Sequence, residues 1–78
     1  PLEAYLDGAQ LTLTFFDAIE DVTVSIVGNS GTVETRTVSF NDFQTEIFDV
    51  SRYAAGNYSL LITTPRGTSL SGNFKIDI

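Results

Sequence analysis

Hydrophobic and polar residues alternate with a period of two along most of this chain. In Gln10-Leu11-Thr12-Leu13-Thr14-Phe15, one face carries Leu11, Leu13 and Phe15 and the other Gln10, Thr12 and Thr14, the pattern of a half-buried strand. Val22, Val24 and Ile26 alternate with Thr23 and Ser25, and Tyr58, Leu60 and Ile62 alternate with Ser59, Leu61 and Thr63. The same reasoning predicts strands over 2–6, 32–40, 45–50 and 69–78. Turn-forming clusters separate them: Asp7-Gly8, Gly28-Asn29-Ser30-Gly31, Asn41-Asp42 and Pro65-Arg66-Gly67-Thr68. Asp7-Gly8 predicts a two-residue hairpin in which Leu6 faces Ala9, Ala4 faces Leu11 and Leu2 faces Leu13, all on one face. The polar strand 32–40, with Glu34 and Arg36 on one face, reads as an edge strand whose charges discourage pairing with other chains. Gly72, in line with Phe74, Ile76 and Ile78, suggests a bulge or a close backbone approach.

Seven short strands and no helical periodicity point to an all-β fold, an immunoglobulin-like antiparallel β-sandwich of about seven strands, over a single domain spanning 1–78. A small closed barrel is the alternative. The sandwich is preferred because Gly56-Asn57-Tyr58 follows a strand-to-loop crossing, as in a tyrosine corner. The Tyr58 phenol is then expected to bond back to the backbone within residues 52–55.

Composition narrows the chemistry. The chain has 78 residues and no Cys, His, Met or Trp, so disulfides, thiolate or imidazole metal sites and Cys or His catalysis lack their side chains. Ten acidic residues against four basic ones give a net charge of −6, which argues against nucleic acid as a partner. No apolar run approaches the roughly 20 residues of a membrane span, so no membrane insertion is expected. Pro1 in place of Met suggests a mature or trimmed product. Absence of Cys fits either side of a membrane.

No catalytic pair can be written. A Ser–Lys dyad would need Lys75, the one Lys, which the alternation sets opposite the core face, so an enzyme is not expected. Asp17, Glu20 and Asp21 form one acidic cluster and Asp42, Glu46 and Asp49 another, but neither has the spacing of a calcium loop. No metal and no cofactor are expected. Alternation assigns Phe15, Phe48, Tyr53, Tyr58 and Phe74 to the core. Tyr5 and Phe16 fall on the other face, and Phe40 and Phe43 flank a turn. These four are the candidate partner-binding residues, for a protein or a neighbouring domain, with weak salt-promoted self-association as a further expectation. The plainer account of Phe40 and Phe43 is that they fold over the open end of a small core.

The run Phe48-Asp49-Val50-Ser51, then Ala55-Gly56-Asn57-Tyr58-Ser59-Leu60, Gly67 and Gly72-Asn73-Phe74-Lys75-Ile76 resembles two related groups. One is a family of small secreted immunoglobulin-like domains of unknown function from Bacteroides-type gut bacteria. It also shares Leu11-Thr12-Leu13-Thr14-Phe15 and Val22-Thr23-Val24-Ser25-Ile26. The other is the C-terminal sorting domain of the type IX (Por) secretion system, matched mainly over 45–77. Sorting tails often have Pro before the Ala-Gly, where this chain has Ala54. Both resemblances imply a sandwich outside the cytoplasm: periplasmic, on the cell surface or secreted. The reading is a non-catalytic binding or spacer module, with a secretion-sorting domain as the alternative and a calcium- or glycan-binding accessory domain as a third.

Overall fold

A computed structural model describes residues 2–16, 18–40 and 44–77, without the side chains of Leu2 and Phe40. Seven strands run in chain order: β1 (Leu2–Asp7), β2 (Gln10–Phe15), β3 (Ile19–Gly28), β4 (Gly31–Phe40), β5 (Gln44–Asp49), β6 (Gly56–Thr63) and β7 (Ser69–Ile76). They form a three-stranded sheet, β1-β2-β5, and a four-stranded sheet, β4-β3-β6-β7. The chain divides into two compact units, one of Pro1–Ile19 and Ser39–Tyr53, the other of Glu20–Val38 and Ala54–Ile78.

In the three-stranded sheet, β2 pairs antiparallel with both neighbours. Leu11, Leu13 and Phe15 of this central strand are buried, as are Phe48 on β5 and Val50 just beyond it. Each such side chain contributes on the order of 1.5–3 kcal/mol. The hairpin register differs from expectation. Asp7 pairs with Gln10, so the loop residues are Gly8 and Ala9. Gly8 has φ +60 while Ala9 is not at positive φ, which fits a turn of the II′ kind with Gly at its first central position. The expected I′ turn needed positive φ at Asp7 as well. Ala4 therefore opposes Leu13 and Leu6 opposes Leu11. The slip moves each partner by two residues, so every side chain stays on its expected face. Past β5, the Val50 N–H donates to the Ala9 carbonyl at 2.9 Å and the Tyr53 N–H to the Val50 carbonyl at 3.0 Å.

In the four-stranded sheet the buried rows again lie mainly on the central strands: Val22, Val24 and Ile26 on β3, and Tyr58, Leu60 and Ile62 on β6. β4 is an edge, as its polarity suggests. Hydroxyl contacts of 3.4 Å join Thr23 to Thr37 and Ser25 to Thr35, setting these four on one face. Arg36, between Thr35 and Thr37, therefore shares the other face with Val24, half-buried and paired with Glu34 at 2.7 Å. Charges turned toward the apolar face of an edge strand are a barrier to further pairing. β6 and β7 pair without interruption from Gly56↔Ile76 to Thr63↔Ser69. Gly72 sits opposite Leu60 in this ladder, and a Cβ there would meet nothing within 4 Å. It marks neither a bulge nor a close approach.

Candidate functional site

The three-stranded sheet has a second, solvent-facing side. Alternation places Glu3, Tyr5 and Asp7 of β1, Gln10, Thr12 and Thr14 of β2, and Thr45, Ile47 and Asp49 of β5 there. The register aligns them into three cross-strand rows. Glu3, Thr14 and Thr45 form one; Asp7, Gln10 and Asp49 form another. Between them lies Tyr5, Thr12 and Ile47. Tyr5 is 58% exposed and Ile47 49%. A strip with two exposed apolar side chains, Tyr5 and Ile47, on either side of Thr12 thus crosses all three strands, with Glu3 on one flank and Asp7 and Asp49 on the other.

Asp49 is held ionised by its local backbone. The Ser51 N–H donates to Asp49 Oδ1 at 2.9 Å. That bond, then the Ser51 hydroxyl, and last the Arg52 charge lower the carboxyl below its ordinary value, against a smaller opposing effect of burial.

Of the expected partner-binding residues, Tyr5 lies in the strip, and Phe16, one residue past β2, is half-buried. The Phe40 side chain and all of Phe43 lie outside the described residues. Ile47 was missed, although a signal existed: Ile47 and Phe48 are adjacent in one strand, so only one of them can face the core. Phe15, Phe48 and Tyr58 are buried. Tyr53 and Phe74, expected in the core, are half-buried. Tyr53 lies in a loop, where strand alternation does not apply, and Phe74 is on edge strand β7.

Of the two acidic clusters, the described strand β5 carries Glu46 and Asp49. Glu46 opposes Leu13 and Asp49 opposes Gln10, on opposite faces of β5. Asp17 and Asp42 lie outside the described residues. Among the described residues no three acidic side chains come together to hold a metal ion. Lys75 is exposed and lies 3.6 Å from Asp77.

At the corner, Gly56 opens β6 at φ +149, and the Tyr58 hydroxyl donates to the Ala54 carbonyl at 2.6 Å. The Tyr58 ring stacks on Phe74 with centroids 5.6 Å apart. Beside it, the Gly28–Val33 turn and the Ala54–Tyr58 segment line a cleft of about 280 Å³. A groove of about 410 Å³ continues past Asn29, Asn57, Ser59 and Asn73. Carboxamides and hydroxyls there offer hydrogen bonds but no acid–base pair.

The family described as "Domain of unknown function (DUF3244)" matches residues 1–76. The chain belongs to the DUF3244 family. This DUF3244 domain is also similar to a crystal structure of a DUF3244 family protein with an immunoglobulin-like β-sandwich fold from Bacteroides vulgatus ATCC 8482. The two are 24% identical, with a TM-score of 0.88, covering 99% of this chain and 84% of that one. With seven strands in two antiparallel sheets, the DUF3244 domain is an immunoglobulin-like β-sandwich. No curated protein matches it.

Proposed function

We propose that this DUF3244 domain is a non-catalytic binding or spacer module working outside the cytoplasm, in the periplasm, at the cell surface or secreted. The observation that carries the reading is the exposed strip Tyr5, Thr12 and Ile47 across the three-stranded sheet. Exposed apolar side chains aligned across strands, rimmed by charge, are the anatomy of a protein-contact surface. Covering one such side chain contributes on the order of 1.5–3 kcal/mol before association costs. The partner is a protein or a neighbouring domain. The secretion-sorting reading rests on the resemblance over 45–77 alone. A second reading, glycan capture, draws on the neutral carboxamides and hydroxyls beside Tyr58.

Site-specific photo-crosslinking in the native host tests the reading. A crosslinker at Tyr5 or Ile47 yields a discrete adduct, and one at Leu61, on the four-stranded sheet, does not. Equal labelling from all three positions, or none from Tyr5 and Ile47, would count against it. Cell fractionation tests the location; recovery in the cytoplasm would overturn that part.

A further inference from the structure

Building on the reading of this strip as a contact surface, we infer that its partner is a basic protein surface presenting an apolar side chain between two cationic ones. The rows set the spacing. Glu3, Tyr5 and Asp7 are alternate residues of one strand, so the Cα atoms of the two acidic residues lie about 13–14 Å apart with Tyr5 midway between them. Asp49 adds a third carboxylate on the Asp7 flank, across Gln10, partly offset by the nearby Arg52 charge. The three strands make the strip about 10 Å wide. A cation approaching from either flank meets a carboxylate next to an exposed aromatic residue, a combination that favours Arg and Lys. The net charge of −6 adds long-range attraction for such a surface. A second copy of the chain is disfavoured on the same ground, since face-to-face pairing brings Glu3, Asp7 and Asp49 against their own images.

The probe is a synthetic peptide repeating Lys-Ser-Leu-Ser-Lys, compared with its Glu-for-Lys counterpart, titrated by fluorescence anisotropy. The lysine peptide binds and the glutamate peptide does not. Raising low salt to physiological strength weakens binding about tenfold. Tyr5→Thr combined with Ile47→Thr weakens it about tenfold, at an unchanged melting temperature. Asp7→Asn with Asp49→Asn weakens it several-fold, while Asp77→Asn, just past β7 of the other sheet, leaves it unchanged. If both peptides bind equally and the threonine variant loses both, the strip is a contact surface without charge preference and this inference fails alone. If the threonine variant binds the lysine peptide as the parent does, the inference and the contact-surface reading fail together.

Discussion

The Tyr58 hydroxyl donates to the Ala54 carbonyl at 2.6 Å, tying the start of β6 to the loop that leads into it. The ring is buried and stacked on Phe74, so a Phe at this position keeps the packing and loses only the hydrogen bond. Tyr58→Phe is expected to cost about 0.5–1.5 kcal/mol. Urea unfolding checks this: the midpoint falls with the slope unchanged. A midpoint equal to that of the parent would mean the bond has no net value.

Gly28 makes room for the same ring. A Cβ at Gly28 would lie 3.0 Å from Tyr58 Cε2 and 3.3 Å from Cδ2. The ring has little room to give way, held by Ala54 at its hydroxyl and by Phe74 across its face. Gly28→Ala should therefore destabilise by about 1–3 kcal/mol. In the Tyr58→Phe background the penalty is smaller, because the released ring can shift. Additive losses in the double variant would show that the tether does not hold the ring in place.

Much of this architecture is readable from local pattern. Strand positions follow from a period of two, and the corner from Gly56 and Tyr58. What was missed depends on pairing between distant segments. The I′ and II′ readings of the first hairpin give the same faces, so alternation could not choose between them. The Tyr5–Thr12–Ile47 strip exists only because β5, more than thirty residues from β1 in sequence, pairs with β2 in one particular register. The face that Arg36 takes depends likewise on how β4 lies beside β3.

Asp49 gives a pH prediction. Its folded-state pKa lies below the ordinary carboxylate value, chiefly through the Ser51 N–H. The stabilisation is therefore present above the unfolded-state pKa and is lost as pH falls through the lower folded one. Asp49 is solvent-exposed, so the stability effect is small and is best read by NMR titration of the carboxyl carbon. Ser51→Ala removes the hydroxyl but keeps the N–H, the larger cause, so the carboxyl should stay below its ordinary value. Full return to the ordinary value would assign the effect to the hydroxyl.

Millimolar Ca²⁺ should leave the melting temperature unmoved, because Glu46 and Asp49 point to opposite faces of β5. A site filled to 100 times its Kd would add about 2.7 kcal/mol. A rise reversed by chelator would contradict this and make the acidic loops a metal site.

Self-association should be weak and promoted by salt. At low ionic strength the charge of −6 keeps copies apart, and screening lets apolar side chains meet. Sedimentation at two ionic strengths, repeated with Tyr5→Thr and with Phe43→Ser, checks this. A stable dimer at low salt, unaffected by either change, would contradict it.

Hydrogen exchange with and without the lysine peptide locates the contact surface. Added protection should fall on β1, β2 and β5, centred on Tyr5, Thr12 and Ile47. Protection centred instead on the Gly28–Val33 turn and Asn57, with the three-stranded sheet unchanged, would contradict it.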